Sequence, residues 1–309
     1  FFAAKTRTSD RPRPATLGRP RPGNNPLAWP VPPDNDKTMD NDITDAEFAQ
    51  FQRLIYKIAG ISLADSKKVL LVGRLGKRLK AHGLASYAEY FKLISGGRDP
   101  AELQMMVELL TTNETYFFRE EKHFDFLVDH IAAQHPAGRS LDIWSAAAST
   151  GEEIYTICMV MADAKGVNGQ WSVTGSDINT QVLALARSGH YPMEKARGLP
   201  PEYLRKYCLK GVRQHEGTFH SAPELRKHTQ FLQVNLNLPL PAAVGKFHVI
   251  FLRNVMIYFD AETKRQVIDR LINQLHPGGW FIVGHSESLN GLTDRLVPVQ
   301  PTIYRLPPA

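Results

Sequence analysis

Apolar residues recur every three or four positions from Ile43 to about residue 110. Phe48, Phe51, Leu54, Ile55 and Ile58 share one helical face, with Thr44 and Glu47 at capping-box spacing before them and Gly60 after them. Val69, Val72, Leu75 and Leu79 mark the stripe of a second helix, running from about Asp65 or Ser66 to His82-Gly83. Ser86 with Glu89, and Asp99 with Glu102, open two more. Pro100 stands at the first helical position of the last, where its missing N–H costs nothing. Four short capped helices predict a compact helical domain over residues 41–115.

Beyond about residue 140 the period changes. Leu141 to Trp144 read as a buried strand, Ser145 to Gly151 as a turn of small residues, and Ile154, Ile157, Cys158 and Met161 as a helix starting near Thr150. Trp171 to Asp177 is a second strand, followed by a helix from Ile178 to Arg187. Residues 190–233 break the rhythm with Gly189-His-Tyr-Pro, Gly198-Leu-Pro-Pro and an alternating stretch at 215–220, which predicts an inserted antiparallel unit. Phe231 to Val234 resumes the sheet. Phe247 to Leu252 is the next strand and Thr263 to Leu275 a helix. Pro277 to Gly279 turn into a strand at Trp280–Gly284, and Val297–Val299 and Thr302–Arg305 close the edge. Alternating strands and helices predict a Rossmann-like α/β domain over residues 116–309, mostly parallel, with helices on both faces.

Charge changes this picture only where it is located. The net charge is +6, but residues 1–38 hold seven Lys/Arg and three Asp, so the rest carries about +2. That balance gives no reason to expect nucleic acid. The same segment holds eight of the 21 prolines without periodicity and precedes the first methionine, Met39. Residues 1–40 are expected to be a disordered tail, an expression leader or upstream readthrough. One run does stand out: Lys67, Lys68, Arg74, Lys77, Arg78 and Lys80 lie in a helix with no acidic residue between 66 and 80. It is either a solvated face or a docking surface for an acidic partner. Two cysteines without metal-ligand spacing, no secretory signal and no apolar run of membrane length lead to the expectation of a cytoplasmic chain.

Candidate chemistry centres on the turn after Trp144. Small residues let backbone approach a ligand there, and the following helix offers free N–H groups. Glu152 and Glu153 at that helix start would repel a pyrophosphate. They suit a ligand with positive charge, such as the sulfonium and ammonium of S-adenosylmethionine. An ordinary βα turn with acids favoured by the helix dipole explains the stretch equally well. Asp177, at the end of the second strand, is placed to accept two ribose hydroxyls. The polar segment Thr111–Thr115, with Arg119 beside two phenylalanines, lies at the expected domain junction, a common place for a ligand.

Four motifs in this order resemble one family. They are Thr111-Thr-Asn-Glu-Thr-Tyr-Phe-Phe-Arg119, Trp144-Ser-Ala-Ala-Ala-Ser-Thr-Gly-Glu-Glu153, Gly175-Ser-Asp-Ile178 and Arg253-Asn-Val-Met-Ile-Tyr-Phe259. They look like those of the bacterial CheR chemotaxis-receptor glutamate O-methyltransferases, over roughly residues 43–306. The resemblance implies a class I methyltransferase domain with a small antiparallel β-subdomain insertion, preceded by an all-α domain. It implies S-adenosylmethionine as cofactor, S-adenosylhomocysteine as product and no metal. Asn113, Thr115 and Arg119 would contact the cofactor from the junction. Glu153, rather than Glu152, would meet its methionine end and Asp177 its ribose. Asn235 and Leu236 would flank the adenine, and Arg253 and Asn254 would close the site. Tyr258 could face the methyl group, while Phe259 would be core. The basic helix 66–80 would dock on the cytoplasmic methylation region of chemoreceptors, and the β-subdomain could take a receptor C-terminal peptide by strand addition. Neither nucleic acid nor membrane insertion is implied.

A glutamate acceptor is already ionised at neutral pH, with a reference pKa of about 4.3. In-line methyl transfer to it needs no general base. The resemblance puts Arg119 and Tyr258 forward as the catalytic pair, and His123 and His285 are expected to be structural.

Overall fold

The structure, a computed structural model, describes residues 42–308; the tail expected at 1–40 lies outside the described residues. Helix α1 (Asp45–Ala59) begins where Thr44 Oγ1 accepts the Glu47 N–H at 3.2 Å and the Glu47 carboxylate accepts the Thr44 N–H at 2.8 Å. Gly60 ends it in the left-handed region, at φ 71°. Helices α2 (Lys68–His82), α3 (Tyr87–Ser95) and α4 (Pro100–Leu110) follow, with Ser86 and Asp99 capping the last two. Phe51, Ile55, Leu71, Leu75, Tyr90 and Met106 form their shared core.

The stripe of α2 departs from the sequence expectation at one position: Leu75 and Leu79 are core and Val72 packs against it, but Leu71 stands in for Val69. Leu71, Leu75 and Leu79 are buried, and Val69 is 82 % exposed. A 3.6-residue period accommodates either residue, and Leu71 brings more apolar volume to the core than Val69 would.

Helix α5 (Lys122–Phe126) runs on as a π-helical segment at Leu127–Ala132. The α/β part then alternates β1 (Leu141–Ser145), α6 (Glu152–Lys165), β2 (Trp171–Asp177) and α7 (Thr180–Ser188). Next come β3 (His190–Pro192), α8 (Pro201–Tyr207), β4 (Cys208–Lys210), β5 (Thr218–Ser221), α9 (Pro223–Arg226) and β6 (Thr229–Gln233). Last are β7 (Phe247–Leu252), α10 (Ala261–Ile272), β8 (Leu275–Val283), β9 (Val297–Gln300) and β10 (Ile303–Arg305).

The main sheet has the order β6-β2-β1-β7-β8-β10-β9, parallel from β6 to β8 and antiparallel at β10 and β9. Successive strand residues face opposite layers. Ile143, Val173, Val249 and Phe251 thus pack towards α6, while Trp144, Ile250 and Leu252 pack with Val267 and Leu271 of α10. A second sheet, β3-β5-β4, is antiparallel and forms the insertion. It ends earlier than the expected 190–233, because β6 pairs in parallel with β2 in the main sheet. Residues Pro277 to Gly279 are not a turn before the last long strand. They lie inside β8, opposite a register shift against β7. Among the described residues no helix is long and apolar enough to cross a membrane.

Candidate active site

The strand order reverses between β1 and β7, and open α/β sheets bind ligands at such a point, beyond the carboxyl ends of the strands. At the end of β1 the chain turns sharply. Ser149 has φ 48° and its N–H donates to Asp177 Oδ2 at 2.9 Å. Gly151 has φ 93°, and a Cβ there would meet Ala186 Cβ at 2.8 Å and the Tyr191 hydroxyl at 2.9 Å, so only glycine fits. The turn delivers Glu152 and Glu153 to different surroundings. Glu152 is fully buried and pairs with Lys195 at 2.8 Å. Glu153 faces a cavity of about 510 Å³, its Oε1 accepting from Ser145 Oγ at 2.6 Å and its Oε2 3.0 Å from Arg253 Nη1.

All ten residues singled out from the sequence line this cavity: Asn113, Thr115, Arg119, Glu153, Asp177, Asn235, Leu236, Arg253, Asn254 and Tyr258. Their environments differ. Asp177 also accepts the Asn179 N–H at 3.0 Å, yet burial pushes its carboxyl above the usual range, with those N–H bonds opposing. Asn235 spends its amide on Ile58 O at 2.7 Å, tying the end of α1 to the segment after β6. Arg253 is 5 % exposed and bridges Glu153 and Glu120, with Glu120 Oε2 3.0 Å from Nη2. Asn254, at φ 57°, donates its Nδ2 to Glu120 Oε1 at 3.2 Å. Arg119 is different. Its Nη1 donates to Glu114 O at 3.0 Å and its guanidinium carbon stands 5.7 Å from the Tyr116 ring centre. Among the described residues it forms no ion pair.

Two carboxylates that sequence reasoning missed, half-buried Glu120 and buried Glu287, hold this wall together. Burial works to raise the Glu120 carboxyl, but Arg253 and Asn254 outweigh it and lower the group. Glu287 accepts backbone N–H groups from Asn254 and Met256 at 2.8 Å and from Gly284 at 2.7 Å, and burial pushes its carboxyl up. Glu120 adjoins Arg119 and could have been suspected. Glu287 was hard to find because, apart from Gly284 three residues before it, its partners lie just after β7, more than 30 residues away. The helical part also enters the site, which sequence reasoning restricted to the junction. Lys67, Leu70 and Arg74 line the cavity. Arg74 is anchored by Leu109 O at 3.0 Å and Thr111 O at 2.9 Å.

Residues 46–111 match the family model described as CheR methyltransferase, all-alpha domain, and residues 113–305 match CheR methyltransferase, SAM binding domain. A chemotaxis protein methyltransferase of Escherichia coli is 41% identical over 265 residues, covering 85% of this chain and 92% of that protein. Chemotaxis protein methyltransferase 2 of Pseudomonas aeruginosa is 40% identical, covering 84% and 93%. A chemotaxis protein methyltransferase of Borreliella burgdorferi is 32% identical, covering 88% and 98%.

Proposed function

The chain belongs to the CheR methyltransferase family, and we propose that it methylates glutamate side chains of chemoreceptors, with S-adenosylmethionine as donor and S-adenosylhomocysteine as product. The observation that supports this reading is the sorting of charge across the cavity. Glu153 and Asp177 stand on the sheet side, where Arg253 is already neutralised by Glu120 and Glu153. Lys67 and Arg74 come from the helical part and Arg119 from the junction, with Glu114 the cavity-lining acid nearest them in sequence. A cationic donor suits the first wall and an anionic acceptor the second.

The residues fit S-adenosylmethionine. Its sulfonium supplies an electrophilic methyl group when it is bound. Glu153, fixed from both sides, would meet the ammonium. Each Asp177 oxygen accepts one N–H and keeps a lone pair for a ribose hydroxyl. Asn235 would flank the adenine through its backbone, since its amide is committed, with Leu236 as the apolar face. Asn113 and Thr115 would close the cavity from the junction, and Asn254 from the end of β7.

Arg119 and Tyr258 would hold the acceptor carboxylate. Its pKa in water, about 4.3, makes a general base unnecessary. What remains is to strip water from it and aim one oxygen, which is worth roughly 7–11 kcal/mol in favourable cases. Arg119 suits this task because it carries no competing carboxylate. A guanidinium already clamped in an ion pair would bind too little, and one that clamped the acceptor would slow the transfer.

Docking is read from two exposed features. Val69, Gly73, Lys77 and Lys80 form one exposed stripe of α2. Arg78 is not part of it, because Glu102 holds it across the helix at 2.8 Å. The acidic methylation region of a receptor in the cytoplasm would lie along this stripe. Strand β4 is an edge of the insertion sheet, carries exposed Leu209 with exposed Val212 just beyond it, and offers free backbone to a receptor C-terminal peptide.

The test is incubation with labelled S-adenosylmethionine and receptor-containing membranes. Base-labile label on the receptor supports the reading, and Arg119→Ala should reduce it roughly a hundredfold. Label on RNA or small molecules instead, or full activity of Arg119→Ala, would reject it.

A further inference from the structure

The insertion does more than present a strand edge, because it also grips the turn beneath the cavity. Tyr191 of β3 donates its hydroxyl to Thr150 O at 2.8 Å. Lys195 follows in the short 3-10 turn Met193–Gly198 and reaches Glu152 at 2.8 Å. The second Glu152 oxygen accepts from Thr150 Oγ1 at 2.6 Å. The pair is unequal: the Glu152 side chain is 0% exposed, while that of Lys195 is 39% exposed. Glu152 opens α6 and is the immediate neighbour of Glu153, the acid that faces the cavity.

We propose that Lys195 is a positioning residue for the cofactor, its ion pair with buried Glu152 setting the turn 150–153 that presents Glu153. This rests on the reading that the cavity takes S-adenosylmethionine. A carboxylate sealed from water needs a counter-charge in contact. The start of α6 supplies only a partial positive charge. Among the described residues the full charge comes from the insertion and from nowhere in the sheet it serves. Without Lys195, Glu152 must take up a proton or turn towards water, and either change disturbs the turn that carries Glu153. The reverse loss is mild, because a Lys195 without its partner is already in reach of solvent. Ordinary packing does not predict that asymmetry.

The experiment is calorimetric titration with S-adenosylhomocysteine of the full chain and four variants. Lys195→Met is expected to weaken binding roughly tenfold or more, and Glu152→Gln by less than about threefold. The double variant should recover to within about threefold of the parent, since a neutral pair leaves no buried charge, and Lys195→Arg should bind like the parent. In turnover assays Lys195→Met should raise KM for S-adenosylmethionine more than it lowers kcat. The proposal is overturned if Lys195→Met binds within about twofold of the parent, or if Glu152→Gln is as weak as Lys195→Met. Should Lys195→Met fail to fold, the double variant decides, and a folded double variant with weak binding overturns it. A parent that binds no S-adenosylhomocysteine overturns the cofactor reading and this proposal with it. A parent that binds normally while the asymmetry is missing overturns this proposal alone.

Discussion

At the scale of single residues, burial and charge around the cavity have measurable consequences. Burial raises the Asp177 carboxyl, so it takes up a proton at higher pH than an ordinary aspartate. A protonated Asp177 loses acceptor capacity for ribose. Affinity for S-adenosylhomocysteine should therefore be full above that raised pKa and fall as pH drops through it. Asp177→Asn should bind roughly ten- to a hundredfold more weakly, equivalent to about 1.5–3 kcal/mol, with a flatter pH profile over the acid range. Calorimetry at several pH values checks this, and an unchanged affinity would remove Asp177 from the site. His123 has the opposite sign of shift. Burial, helped by Arg253 and His285, pulls it down to about 4, against the pull of Glu120. The folded chain thus binds this proton less tightly than the unfolded chain does, whose value is near 6.5. The resulting stability is complete above about pH 6.5 and is lost as pH falls towards 4, amounting to roughly 2 kcal/mol by pH 5. His123→Gln should shrink the drop in melting temperature between pH 7 and pH 5, whatever it does to the absolute value. Equal drops in parent and variant would mean that other groups carry the acid response.

At the scale of elements, legibility followed the range of the interactions. The helix starts were readable because Thr44, Ser86 and Asp99 cap groups three residues away. Asp177 was readable because a strand delivers its last residue to the sheet edge. The basic run on α2 was readable as a run but not as a surface. Arg74 and Arg78 are held by Leu109, Thr111 and Glu102, which arrive only when α4 packs. The pairing of Lys195 with Glu152 was hidden for the same reason, the two standing 43 positions apart. What α2 leaves exposed includes Gly73, where an added Cβ would meet nothing within 4 Å. Glycine inside a helix costs about 1 kcal/mol relative to a good helix former. No contact within the described residues accounts for it. Gly73→Leu should accordingly stabilise the chain by up to about 1 kcal/mol in denaturant titration. On the proposed docking stripe, its bulk should lower receptor methylation several-fold while S-adenosylhomocysteine affinity stays unchanged. Higher stability with undiminished methylation would place the receptor elsewhere.

At the scale of the whole described chain, the two parts matched by separate family models share one cavity wall. Asn235 holds the last turn of α1, Ile61 bridges to Phe259, and Ser62 N–H donates to Tyr258 O at 2.8 Å. On another side Glu108 of α4, 7% exposed, accepts from the Thr180 N–H at 2.8 Å and from Gln181 Nε2 at 3.0 Å, at the start of α7. These contacts join the helical residues to three strand ends that line the site. Unfolding the helical part would therefore strip Lys67, Leu70 and Arg74 from the cavity and loosen Tyr258, so a ligand there should stabilise both parts together. At a free concentration a hundredfold above Kd, S-adenosylhomocysteine should add about 2.7 kcal/mol. For a chain of this size that corresponds to a rise of roughly 4–5 °C. Scanning calorimetry should show one transition moving upward as a whole. Two transitions, of which only one responds to ligand, would mean that the sheet side binds alone. The helical wall would then serve the acceptor without contributing to the cofactor.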